Sequence, residues 1–102
     1  MEKRTLIENF IKNNYLSEKR GLKGSNLQAY YISGTNKRVL KNYSTIIALV
    51  DCEKDYNKII INKEHYSQTT TRNQNLLRYY SSVNGCDVEE VDEKEIYKRA
   101  ND

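Results

Sequence analysis

Residues Ile46 to Val50 form the longest unbroken apolar run in this chain. A run that is continuous instead of alternating fits a central strand covered on both faces, so Ser44 to Asp51 is expected to be a core strand. The polar stretch Cys52-Glu53-Lys54-Asp55-Tyr56-Asn57 follows, and then Ile59 to Ile61 resume the apolar character. Lys58 to Asn62 is therefore expected to return antiparallel, closing a hairpin from Ser44 to Asn62.

Elements on either side follow from caps and periodicity. Leu6, Ile7, Phe10, Ile11 and Tyr15 recur at helical spacing behind the capping box Thr5-Leu6-Ile7-Glu8, which predicts an amphipathic helix over 5–16. Ser17 to Ser25, basic and carrying Gly21 and Gly24, reads as a connection. Leu27 to Ser33 reads as a strand, Ser33-Gly34-Thr35-Asn36 as a turn, and Lys37 to Asn42 as the next strand. A second capping box, Thr71-Arg72-Asn73-Gln74, predicts a helix over 71–82 that buries Leu76, Leu77, Tyr80 and Val83. Asn84-Gly85 reads as its left-handed end, Cys86 to Val91 as a short strand, and Asp92 as the cap of a helical tail around Ile96, Tyr97 and Ala100.

The 102 residues suit one domain. Its parts are the helix 5–16, a sheet-and-helix core over 25–91 and an acidic helical tail over 92–102. The fold class expected is α+β, two-layer, an antiparallel sheet of three to five strands with helices packed on one face. No apolar run approaches the ~20 residues of a membrane span, and the N-terminus lacks the apolar core of a signal peptide, so a cytoplasmic location is expected.

Chemistry-bearing residues are sparse. His65 is the only histidine, and Ser67 and Cys86 are the nucleophiles formally available to it. Cys52 and Cys86 lack metal-ligand spacing, so free thiols and no metal are expected. Asp51, Glu53 and Asp55 are spaced like the start of a calcium loop, but the glycine and closing glutamate are missing. Thr69-Thr70-Thr71 could hold an anion at a helix start, although Thr71 as a cap explains the run more simply. With no phosphate-cradling glycine pattern either, the expectation is a non-enzyme without cofactor.

Charge is strongly polarised. The net charge is +3, yet residues 1–50 carry +6 and residues 87–102 carry −4. Between Lys19 and Val50 there are six basic residues and no acidic one. Lys37, Arg38 and Lys41 are interleaved there with Tyr30 and Tyr31, a composition that suits single-stranded nucleic acid, where cations track phosphates and rings stack on bases. The same residues, with Arg72 and Arg78, also suit a protein partner, because tyrosine and arginine dominate binding hot spots. Solvated strand edges and core-filling tyrosines would produce the same composition.

The order Tyr43-Ser44-Thr45-Ile46-Ile47-Ala48, then Ile59-Ile60-Ile61-Asn62-Lys63, then Tyr66-Ser67-Gln68-Thr69-Thr70-Thr71-Arg72-Asn73-Gln74-Asn75 resembles a family of small domains found in phage, plasmid and other mobile-element proteins. That family shows a tyrosine strand Y-x-T-x-I-A, a strand ending in asparagine, and Y-S-x-T-T-[ST]-[KR]-x-Q-N. The likeness runs over about residues 25–80, with Gln68 where small or aliphatic residues are common and Cys52–Tyr56 lengthening the hairpin loop. It implies no catalytic residues. It implies a mobile-element context, and with no catalytic equipment in the chain the expected function is that of an accessory protein inhibiting a host defence nuclease by stoichiometric binding, an anti-CRISPR protein being the leading case. The expected binding residues are Tyr30, Tyr31, Lys37, Arg38, Lys41, Arg72 and Arg78.

Overall fold

Ile47 sits at the centre of the sheet, where an irregularity in pairing decides how the apolar run is shared between two faces. In the computed structural model, which describes residues 3–13, 20–21 and 26–102, Leu40 pairs with Ala48 and Lys41 with Ile46. Ile47 is thus the extra residue of a β-bulge. Ile47, Ala48 and Val50 face one core cluster while Ile46 and Leu49 face another, so the strand is covered on both sides as its sequence requires.

The elements run α1 (Lys3–Lys12), β1 (Arg20–Gly21), β2 (Leu27–Tyr31), β3 (Lys37–Asn42), β4 (Thr45–Asp51), α2 (Cys52–Asp55), β5 (Lys58–Asn62), α3 (Gln68–Val83), β6 (Asp87–Val91) and α4 (Glu93–Asn101). The strands lie in chain order, with β1 a two-residue edge piece beside β2. Pairing is antiparallel from β1 to β5. The pair β5–β6 is parallel, because the 16-residue α3 carries the chain back to the starting end of β5. The fold is α+β with helices packed against a mostly antiparallel sheet. Helices α1 and α3 cover one face with Leu6, Ile7, Phe10, Ile11 and Leu77. The expected helical tail, α4, lies on the opposite face, where Ile96 and Ala100 pack with Leu49, Ile60 and Val91. That second layer exists because β4 and β5 are apolar on both sides.

Several boundaries differ from the expectation. Helix α1 begins at Lys3, so Thr5 and Glu8 lie within it instead of forming its cap; residues 14–16 of the expected helix, Tyr15 included, lie outside the described residues. The loop 52–57 contains a helical turn, α2, capped by the Asp51 carboxylate, which accepts from Glu53 N at 3.2 Å. Helix α3 starts three residues before Thr71. Ser67 is its cap and accepts from Thr70 N at 3.2 Å. Val83, expected in the core, is 64% exposed. Asp92 caps α4 as expected, accepting from Glu95 N at 2.8 Å, and Gly85 ends α3 with φ +69°.

Gln74, released from a capping role, instead fixes the entry to α3. Its Nε2 donates to Asn62 O at 2.6 Å and to Glu64 O at 3.0 Å. Asn62 Nδ2 donates to Ile46 O at 3.0 Å, and Asn42 Nδ2 donates to Thr70 Oγ1 at 2.9 Å. These buried amides tie β3, β4, β5 and α3 together, and their pairing offsets the cost of burial, although Asn73 Oδ1 beside them has no partner.

The ends of α1 and α4 are closed by neighbouring residues of β3. Arg38, 2% exposed, donates from Nε to Phe10 O at 2.7 Å and from Nη2 to Ile11 O at 3.1 Å. Lys37, 8% exposed, donates from Nζ to Arg99 O at 2.8 Å and to Asp102 O. Replacing Arg38 with Met should lower stability by about 2–4 kcal/mol, since Ile11 O loses its donor and Phe10 O keeps only the long contact from Asn13 N at 3.4 Å. Lys41→Met should stay within about 0.5 kcal/mol. Urea denaturation of the two variants checks the difference.

Candidate functional site

Lys37 and Arg38 were expected as exposed anchors, and their burial corrects that expectation. Alternation along β3 points them to opposite faces, and each face is covered by a helix whose carboxyl end needs a donor. Arg38 also lies 5.5 Å from the centroid of the Phe10 ring and donates from Nη1 to Cys52 Sγ at 3.2 Å.

Tyr30 and Tyr31 likewise part company. Tyr31 packs against the α1–α3 cluster, its hydroxyl donating to Asn13 Oδ1, whereas Tyr30 packs against the α4 cluster. They cannot form one stacking platform. Lys41 shares the Tyr30 side, its Nζ 6.0 Å from the ring centroid. Arg78 is held by Glu90 at 2.6 Å and by Asn75 Oδ1 at 2.8 Å. Arg72 is exposed, close to His65, Tyr66, Ser67, Gln68 and Thr71 around the start of α3. Of the seven expected residues, Tyr30 and Lys41 meet on one face, and Tyr31 pairs across β2–β3 with the buried Arg38 on the other.

The formal nucleophiles have structural roles. Ser67 Oγ is committed to the cap of α3, and His65 is exposed in the preceding segment. Burial pushes the Cys86 thiol above its usual pKa, against a smaller opposite pull from the Arg38 charge, and a protonated thiol is a poor nucleophile. Cys52 and Cys86 are both free. Asp55 Oδ1 accepts from Asn57 N at 3.1 Å, a local turn contact like that of Asp51. Among the described residues no group of three histidine, cysteine, aspartate or glutamate side chains could hold a metal ion. Burial also pushes the Tyr66 hydroxyl up to about 12, although Asn62 donates to it at 2.9 Å. No helix of the described residues is long and apolar enough to cross a membrane.

The acidic C-terminal region is not a free acidic lobe. Glu89 accepts from Arg99 Nη1 at 3.0 Å and Nη2 at 2.7 Å, and Glu95 accepts from Arg99 Nε at 2.6 Å. Glu90 takes Arg78. Arginine consumes these carboxylates because its planar fork matches two of them at once.

Among the described residues, two surfaces combine a cation with aromatic and apolar side chains. The outer face of α3 presents Arg72, Tyr79 and Val83 at i, i+7 and i+11, with Tyr79 61% exposed. On the other side of the sheet, a groove is lined by Tyr30, Ile32, Val39, Lys41, Ile46 and Tyr97. Sequence reasoning missed Tyr79 and Tyr97. Helical spacing from Arg72 was the available signal for Tyr79; nothing local placed Tyr97 beside Ile46. A third concavity, between α2 and α4, mixes Lys54, Lys58 and Lys98 with Asp51, Asp55 and Asp102 over Leu49 and Ile60. No family model, curated protein or solved structure matches the chain.

The Arg99 hydrogen bonds hold the Glu89 carboxyl below its usual range. A depressed folded pKa gives stability that is complete above the unfolded value of about 4.3 and is lost as pH falls through the folded one. Glu89→Gln should therefore be less stable than the parent at neutral pH. The gap should close on acidification, as followed by thermal melts across the pH range.

Proposed function

We propose that this chain works by stoichiometric binding to a protein, using the outer face of α3, and that its partner is a nucleic-acid-processing nuclease of a host defence system. The observation that carries the reading is the composition of that face. Sixteen helical residues contain no carboxylate, while an arginine, a tyrosine and a valine stand on one line with the two apolar-bodied residues mostly exposed. Exposed aromatic and arginine side chains on a rigid helix lose little freedom on binding and make the typical anchors of an interface.

The class of partner rests on the resemblance of Tyr43–Ala48, Ile59–Lys63 and Tyr66–Asn75 to mobile-element domains. Within that class an anti-CRISPR protein acting in the host cytoplasm is the leading case. The buried positions of Asn62, Thr70 and Gln74 suggest that the shared pattern preserves a scaffold, leaving the exposed face of α3 to choose the target. Inhibition then needs no turnover: occupying an assembly or closure surface of the nuclease is sufficient. Basic and tyrosine character at the contact would favour an acidic, partly apolar lobe of the enzyme.

The test uses the tagged chain to capture nucleases from a host lysate, followed by cleavage assays with the captured enzyme. A defence nuclease should be retained and its cleavage should fall to completion near equimolar inhibitor. The double variant Arg72→Glu, Tyr79→Ala should bind at least about 30-fold more weakly, the effect of one hot spot of ~2 kcal/mol. Failure to retain any defence nuclease, or full inhibition by the folded double variant, overturns the reading.

A further inference from the structure

We infer that the groove between β2–β3 and α4 binds single-stranded nucleic acid, stacking an unpaired base on Tyr30 and holding an adjacent phosphate at Lys41. The inference goes beyond nuclease binding and stands or falls without it. Strand alternation puts Tyr30, Val39 and Lys41 on the face opposite α1 and α3. Register sets Tyr30 beside Val39 and Lys41 beside both Gln28 and Ile46. Helix α4 packs over β4 and β5, so the β2–β3 part of this face forms the floor of a groove whose wall is Tyr97, Ala100 and Asn101.

Three features select the occupant. First, among the described residues no carboxylate lines the groove, and the Lys41 ammonium is the only charged group on it. Asp102 belongs to the neighbouring cleft, and Lys37 occupies two carbonyls at the end of α4, which weakens the negative pole that would repel a phosphate. Second, the aromatic surface is fixed in advance. The Tyr97 hydroxyl accepts from Ile46 N at 2.9 Å and donates to Ser44 O at 3.2 Å, so its ring is a rigid wall, and Tyr30 is half-buried against the same cluster. Third, the groove offers about 360 Å³, within the ~300–1,000 Å³ of small-ligand sites. A flat apolar ring attached to a repeating negative charge satisfies all three. A duplex does not, because its bases are stacked inside and cannot reach the ring.

The experiment measures fluorescence anisotropy of a labelled homopyrimidine oligonucleotide with the intact chain and no nuclease present. Binding should be micromolar at low salt and should weaken steeply as salt is added. Tyr30→Leu keeps the apolar packing and should weaken binding about tenfold, the loss of one stacked base. Lys41→Gln should lower the salt slope by about 0.7, one phosphate contact on a single strand. Tyr31→Phe, on the other face, should bind like the parent. The inference is overturned by binding no tighter than about 10⁻⁴ M at low salt. It is equally overturned if the folded double variant Tyr30→Leu, Lys41→Gln binds like the parent, or if a duplex competes as well as a single strand. Capture of an apolar helical peptide by the groove, without oligonucleotide binding, would overturn it in favour of a protein ligand.

Discussion

Two adjacent cations on one strand hold the layers of this molecule together. Lys37 and Arg38 leave β3 in opposite directions and each ends at the carboxyl pole of a helix, Lys37 at α4 and Arg38 at α1. Arg38 meets no carboxylate in these contacts. Both charges are met by the partial charges of helix-end carbonyls, which lack intrahelical donors, and for Arg38 by the face of Phe10 as well. Burying a cation is costly, and the arrangement persists because each donor replaces water at helix-end carbonyls that are otherwise poorly satisfied. The sheet thus fixes the position of both helical layers through a single dipeptide.

The strands were legible because their signals are local and redundant. The apolar run 46–50, the polar interruption and Ile59–Ile61 agree on one hairpin, and β5 has the limits expected for it, Lys58–Asn62. The caps at Asp92 and Gly85 were legible for the same reason, since each acts on its own neighbours. The start of α3 was not, because Ser67 and Thr71 are equally competent caps. The choice between them is made by distant amides, Asn42 at Thr70 and Asn62 at Gln74. The side of the sheet taken by α4 is likewise decided by what the far strands leave uncovered.

The binding residues were harder to read than the fold. Charge alone does not say whether a side chain faces water, and Lys37 and Arg38 look like a surface patch in the sequence. A signal was present: Val39 and Leu40 are apolar on alternate sides of β3, so both faces of that strand are covered and its cations must find partners inside. The acidic tail misled in the complementary way. Three of its carboxylates, Glu89, Glu90 and Glu95, are committed to Arg99 and Arg78 in space. Among the described residues, fewer charges face solvent unpaired than the charge pattern implied.

The Lys37 contacts span 62 and 65 positions of chain, and Tyr97 reaches Ile46 across 51. During synthesis, then, one side of β3–β5 remains bare until α4 has emerged. Val39, Ile46, Leu49 and Ile60 are meanwhile a sticky surface, of the kind that recruits chaperones or self-associates. The nascent chain can zip its central hairpin early, but closure from such a distance is slow and late. Truncations that remove the final turn would therefore be expected to reveal themselves first as insolubility on expression, before any loss of partner recognition could be seen.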